Sequence, residues 1–281
     1  MEQQESIFNK IEDFLKSNSR ALIHVNFELQ NQLQLNINFK YIFLIISEQI
    51  NGNQDIKQIS SKLAECTEIK TLNLDIACWH LKDDQIKLLF GELPGLKNMD
   101  AFKLNLSYNR ISNLGISIIG AFFKKCTNLK QLLIDFYGNK IDSKLSSELI
   151  EVVNQVKSIQ QLELLFGGNK IEDIGLLSIA NGLSNCACLE LLQLSIYDNY
   201  ISDEGYLKLD QYLQMLPSLL NLEYSFSQSE KLLKSREILN CKNIKVLTLN
   251  VYECKSKRQK FEHKIKALKI KRLVKLKIND F

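Results

Sequence analysis

The sequence predicts an α/β solenoid, a stack of similar units each built from one strand and one helix. Three observations carry this. Asn109, Asn139, Asn169 and Asn199 recur at a constant spacing of 30, each followed two residues later by an isoleucine, Ile111, Ile141, Ile171 and Ile201. Ahead of each asparagine runs an apolar alternation, as in Leu129, Leu132, Ile134 and Phe136. Behind each comes a polar stretch and then apolar residues at helical spacing, such as Leu176, Ile179, Ala180 and Leu183. Alternation marks a strand with a buried face, and the longer period marks a helix. A unit of this size cannot bury its apolar side alone, so copies stack into a continuous core.

Within each unit the elements follow in order. The strand opens with Met99, Leu129, Ile159 or Leu189, ten residues before its asparagine, and keeps Phe102, Leu132, Leu162 or Leu192 at seven before. Residues such as Ser112-Asn113 and Ser202-Asp203-Glu204 then start a helix, because short polar side chains satisfy its first free N–H groups. Gly115, Gly175 and Gly205 recur at one position of that helix. The asparagines are structural on this reading. A carboxamide both donates and accepts, so at a buried turn it can bond the backbone of its own and the adjacent unit.

The pattern LxxLxLxLxxNxI followed by a helix resembles leucine-rich repeats, in their long, helix-containing, ribonuclease-inhibitor-like class, over residues 63–226. The resemblance implies a curved horseshoe with a parallel sheet on the concave face and helices on the convex face. It also implies a non-catalytic scaffold for a protein partner. The class further includes enzyme regulators, GTPase activators and ribonuclease inhibitors, and a structural part of a cytoskeletal or ciliary assembly is compatible as well. Against the usual repeat, the strand here carries one more apolar alternation, which reads as a strand lengthened by two residues.

Bulk properties agree with a well-packed chain. Its 281 residues are 45% hydrophobic, with two prolines and eleven glycines, which opposes a linker-rich or disordered chain. The opening Met1-Glu2-Gln3-Gln4-Glu5 is acidic and polar, unlike a secretory signal. The longest apolar run, Tyr41 to Ile46, is too short to span a bilayer. A soluble, cytoplasmic protein is expected. Of seven cysteines, Cys66, Cys126, Cys186 and Cys241 share one repeat phase, where Leu96, Val156 and Leu216 stand in other units. They read as small apolar residues closing the corner between helix and strand. Cys186-Ala187-Cys188 has no second pair, so neither metal nor cofactor is expected.

The ends depart from the repeat. Ile7, Ile11, Phe14 and Leu15 have helical spacing within Ser6–Lys16, and Ala21–Leu29 and Leu33–Phe39 alternate as strands. Residues 1–38 are therefore expected to form a helix and capping strands, with a partner-binding helix as the alternative. A solenoid of eight or nine units follows over 39–281. The unit at 69–98 is degenerate, because Trp79 occupies the asparagine position. Trp79 and His80 read as turn fillers, or as a binding edge. Pro94 and Pro217 fit breaks after helices. A shortened, irregular unit is expected near 227–243 and a basic one at 255–281.

No catalytic constellation is present. His24, His80 and His263 are scattered, and Gly167-Gly168-Asn169-Lys170 is a repeat turn without the phosphate-loop spacing. The chain is not expected to be an enzyme. Side chains between the buried strand residues face the concave surface. The partner-binding candidates there are Asp75, Asn105, Leu133, Asp135, Glu163, Leu165 and Gln193, with Asn73, Lys103, Ser195 and Glu223 beside them and Tyr137 and Tyr197 one step on. Exposed leucines and tyrosines among carboxylates and amides suit a protein partner, although an unoccupied, solvated sheet has the same composition. From Lys255 to Lys277 the net charge is +10 in a chain whose total is +4, so the remainder carries −6. Lys264, Lys271, Arg272 and Lys275 are the candidate basic patch there. It could meet an acidic protein surface, or serve only to blunt an exposed sheet edge. Nucleic acid is disfavoured, since Phe261 is the one aromatic of the stretch.

Overall fold

A computed structural model of the chain describes residues 6–7, 21–25, 41–46, 53–143, 158–227, 243–252 and 273–280. In chain order the strands are β1 (Ser6–Ile7), β2 (Ala21–Val25), β3 (Tyr41–Ile46), β4 (Thr71–Asp75), β5 (Ala101–Asn105) and β6 (Gln131–Asp135). They continue with β7 (Gln161–Leu165), β8 (Leu191–Ser195), β9 (Asn221–Ser227), β10 (Val246–Tyr252) and β11 (Lys275–Asp280). Between them lie α1 (Asn53–Glu65), α2 (Asp83–Phe90), α3 (Asn113–Phe123), α4 (Asp173–Leu183) and α5 (Asp203–Leu213). All eleven strands form one sheet in sequence order, and every pairing is parallel. The fold is an α/β solenoid, a stack of strand-and-helix units on one parallel sheet.

Register follows the period. Leu72, Phe102, Leu132, Leu162, Leu192, Leu222, Leu247 and Leu276 pair across successive strands. In β4 to β8 the second and fourth residues of each strand are buried. The helices return their apolar stripe to these side chains: Ile116, Ile119, Phe122 and Phe123 from α3, and Leu176, Ile179, Ala180 and Leu183 from α4, are all buried. Phe90, Phe102, Phe122 and Phe123 cluster with ring centroids 5.4 to 6.1 Å apart. Burying one such side chain contributes about 1.5–3 kcal/mol, so the stack is held chiefly by this layer. Cys66, Cys126 and Cys186 are buried at the corners after the helices. Burial pushes the Cys126 and Cys186 thiols up to about 11, so both stay protonated at neutral pH.

Helix starts are linked from unit to unit. Asp83 accepts from Ser112 N at 2.9 Å, Ser112 Oγ at 2.6 Å and Gly115 N at 3.0 Å, all in the next unit. Asn113 accepts from Asp142 N at 3.2 Å, and Ser143 Oγ accepts from Glu172 N at 2.8 Å. Asp173 accepts from Ser202 N at 2.8 Å and from Ser202 Oγ at 2.5 Å. Each unit's first helical residue thus caps the helix that follows. The recurring glycine makes room for it: a Cβ at Gly115 would lie 2.6 Å from Asp83 Oδ1, and one at Gly205 would overlap Asp173 Oδ1.

Two expectations change. Ser6–Ile7 is not the start of a helix but a strand beside Ala21–Leu22. Local helical spacing lost there to pairing with the neighbouring strand. β1 and β2 join the same sheet ahead of the nine strands β3 to β11, which lie within 39–281. The lengthened strand is regular only in β9 and β10, which have seven residues. In β4 to β8 the regular strand stops after five residues, yet pairing continues around the bend, with Ile76 N donating to Asn105 O at 3.0 Å and Leu106 N to Asp135 O at 2.8 Å. Leu33–Phe39, Cys241, most of 227–243, and Lys264, Lys271 and Arg272 lie outside the described residues.

Candidate functional site

The site is bounded by the turn that follows each strand. Asn139 Oδ1 accepts from Ile111 N at 3.0 Å in the preceding unit, while Nδ2 donates to Leu106 O at 2.9 Å and Phe136 O at 3.0 Å. Asn109, Asn169 and Asn199 repeat this arrangement. The residue before each asparagine takes positive φ: Tyr108 at 54°, Gly138 at 67°, Gly168 at 66° and Asp198 at 54°. At the degenerate turn Cys78 and His80 do the same. Trp79 packs against the core, and the next unit's Asn109 satisfies Ile76 O and Leu81 N.

Two rows of side chains cross the concave sheet. Along one, Asn73, Lys103, Leu133, Glu163, Gln193 and Glu223 are in register. Along the other stand Asp75, Asn105, Asp135, Leu165, Ser195 and Ser225. Leu133, Leu165, Glu163, Gln193, Asp75, Asn105 and Asp135 are all half-buried, whereas Ser195 is buried at 6% exposure. Asp75, Asn105 and Asp135 each spend one oxygen on the backbone N–H two residues ahead, at 3.2, 3.0 and 2.8 Å, a local bond that bends the chain out of the strand. Further along, Asn250 donates to Glu223 Oε1 and Ser225 Oγ, both at 2.9 Å, and Asn279 donates to Asn250 at 2.6 Å.

One step on, the tyrosines are in contact. Tyr108 and Tyr137 lie 5.0 Å apart edge to face, Tyr137 and Tyr197 5.7 Å apart, and Tyr197 and Tyr252 stack at 3.7 Å. Gly167 permits this. A Cβ there would stand 2.9 Å from both the Tyr137 and the Tyr197 ring. The Tyr108 hydroxyl is held up by a hydrogen bond with Tyr137, and that of Tyr197 by burial and then by Tyr137. Burial raises Glu163, with Glu223 adding and Lys103 opposing. Burial raises Asp135 too, with Tyr137 N opposing and Asp75 adding.

Some of the site was not foreseen from sequence. Tyr108 and Tyr252 extend the aromatic row, Tyr252 because β10 aligns it with Ser227. Arg110, Lys140 and Lys170 are exposed at the turn, one residue past Asn109, Asn139 and Asn169. Their signal was present as the x of NxI at the same spacing of 30. Of the basic patch, Lys275 is described, exposed on β11. Among the described residues no group of three or more His, Cys, Asp or Glu could hold a metal ion, and no helix is long and apolar enough to cross a membrane. A surface groove between α1 and α2, lined by Asn53, Lys57, Ser60, Asp84 and Lys87, shares none of these side chains.

No family model matches the chain, and no curated protein matches it. Seventy-nine solved chains are similar in structure. One is internalin C2 from Listeria monocytogenes, 15% identical, with 83% of this chain and 100% of that chain covered at a TM-score of 0.41. So distant a likeness transfers neither a residue nor a partner to this site.

Proposed function

We propose that the chain is a non-catalytic scaffold that binds a protein partner on its concave face. The observation that carries this is the tyrosine row, with rings in contact from Tyr108 to Tyr252 beside half-buried Leu133 and Leu165. Rigid aromatic area next to a few aliphatic side chains and carboxylates is the composition that anchors protein interfaces. Asp75, Asn105, Asp135, Glu163 and Gln193 then supply the polar contacts around Leu133, Leu165, Tyr137 and Tyr197. The ribonuclease-inhibitor-like class is the subclass we assign, on units of a five-residue strand and an eleven-residue helix. The face is tested by changing Tyr137 and Leu165 to Ser together and measuring affinity for a partner captured by the parent chain. Loss of a central anchor costs about 1 kcal/mol or more and resists salt. Unchanged affinity with an intact fold would move the site elsewhere. Reversing Lys264, Lys271 and Lys275 in a parallel variant should instead slow association, and only at low salt, if the basic segment also takes part.

A further inference from the structure

We infer that Tyr197 and Tyr252 form an oxidative cross-linking site, where one-electron oxidation driven by hydrogen peroxide joins the two rings as dityrosine. The chemistry is separate from partner binding and needs no partner. The placement begins with the strands. Ser195 pairs with Ser225 across β8 and β9, and Tyr252 pairs with Ser227 across β10 and β9. Asp198 N donates to Ser227 Oγ at 2.9 Å, which holds the turn after β8 against the same serine. Tyr197 and Tyr252 therefore flank Ser227 from either side. Two strand steps of ~4.8 Å separate their backbones, so the rings meet by leaning over β9. The small Ser227 side chain lets them close, as Gly167 does between Tyr137 and Tyr197.

Ring geometry selects this pair from the row. Tyr108 meets Tyr137 edge to face, at 74° and 5.0 Å, and Tyr137 meets Tyr197 at 33° and 5.7 Å. Tyr197 and Tyr252 are parallel to within 9° at 3.7 Å. Their hydroxyls are hydrogen-bonded, so both rings point the same way and the carbons beside the two oxygens lie over one another. The unpaired electron of a tyrosyl radical is shared between the oxygen and those Cε carbons, in orbitals perpendicular to the ring. Face-to-face rings set these orbitals against each other. An edge-to-face pair does not.

The reaction balances with one peroxide. Each phenol gives one electron to the oxidant, a haem peroxidase charged with hydrogen peroxide, and one proton to water. A Cε–Cε bond forms between the two radicals. The hydrogen on each joined carbon then moves to that ring's oxygen, restoring both phenols as the rings pivot about the new bond. The peroxide takes both electrons and both protons and leaves as two waters. Both side chains are half-buried on the concave surface, which gives an oxidant access and leaves room for the pivot. Burial and then the Tyr137 hydroxyl keep Tyr197 a phenol, so its proton leaves with the electron rather than before it. The bond ties the unit of β8 to that of β10, and closing so long a loop restrains the unfolded chain more than the folded one.

The test treats the dilute full chain with a haem peroxidase and an equimolar amount of hydrogen peroxide. Tandem mass spectrometry of a digest should show one principal dityrosine, joining the peptides of Tyr197 and Tyr252 with the loss of two hydrogens. Tyr197→Phe and Tyr252→Phe, each folded as judged by circular dichroism, should lose this product. Tyr200→Phe, which alters an exposed tyrosine outside the row, should keep it. The cross-linked chain should also melt several degrees above the untreated one, a rise absent from oxidised Tyr197→Phe. A principal link between Tyr108 and Tyr137 overturns the inference, as does dityrosine found only between chains. An equal yield of the Tyr197 and Tyr252 link from chain unfolded in urea overturns it too, because the fold would then direct nothing. If no dityrosine forms under conditions that couple free tyrosine, the stacked pair is not a cross-linking site.

Discussion

The turn ladder and the concave strip lie a few residues apart in every unit, yet they obey opposite rules. At the ladder the same residue returns four times, Asn109, Asn139, Asn169 and Asn199, with the same bonds each time. On the strip the equivalent positions read Lys103, Leu133, Glu163 and Gln193. A ladder asparagine serves backbone atoms, which are identical in these four units, so the same carboxamide returns at each. A strip residue points away from the stack and is not required by its neighbours. Repetition therefore marks what the scaffold demands, and variation marks what is left for a partner.

The largest effect should come from the ladder. Asn169→Ala removes the acceptor for Ile141 N and the donor to Phe136 O and Phe166 O, all buried. Leaving buried groups unpaired costs about 1–3 kcal/mol, and Tm should fall by several degrees. Thermal melts of Asn139→Ala and Asn169→Ala check it; an unchanged Tm would remove the asparagines from the scaffold. A smaller loss is expected at the helix starts. Gly205→Ala sets a Cβ against the Asp173 oxygen that Ser202 needs, so that carboxylate must shift and weaken the cap, at a cost of about 1–2 kcal/mol. The pair is coupled: Asp173→Ala with Gly205→Ala should cost less than the two single changes added together. Additive losses would show that the glycine answers to something else.

Much of this was legible in the sequence, and the reasons differ by region. The strands, the register and the buried positions from Leu72 to Leu222 follow from apolar period alone, because a parallel stack places equal positions side by side. Arg110, Lys140 and Lys170 had the same period but no apolar signal to draw attention to them. The tyrosine row was half visible. Tyr137 and Tyr197 share a phase, whereas Tyr108 joins by a left-handed turn and Tyr252 by a shorter unit that shifts its number off the spacing of 30. The cap ladder hid because Asp83, Asn113, Ser143 and Asp173 differ in chemistry while sharing one role. Core positions could also mislead. Tyr224 stands where Leu164 and Leu194 stand, fully buried, and burial and then the Asp210 charge hold its hydroxyl well above the usual tyrosine range. Asp210 itself, at 0% exposure, replaces the Ala180 and Gly120 of earlier helices. No alternation rule announces a buried acid.

The smallest effect is the one that belongs to the strip alone. Glu163 is half-buried between Leu133 and Gln193, and burial, with Glu223 adding to it, raises its pKa in the folded chain. The folded state then holds this proton more firmly than the unfolded state does. Its contribution to stability is full below the ordinary glutamate range and is lost as pH rises through the raised folded value. A glutamine at this position never ionises, so Glu163→Gln should melt slightly higher than the parent at neutral pH. The gap should close as pH falls below about 4, where glutamate is neutral in both states. The ladder variants should show no such convergence, because a carboxamide does not titrate. A Glu163→Gln difference that persists unchanged at low pH would mean that the residue acts through packing or hydrogen bonding, and the strip would then share the scaffold's demands rather than stand free of them.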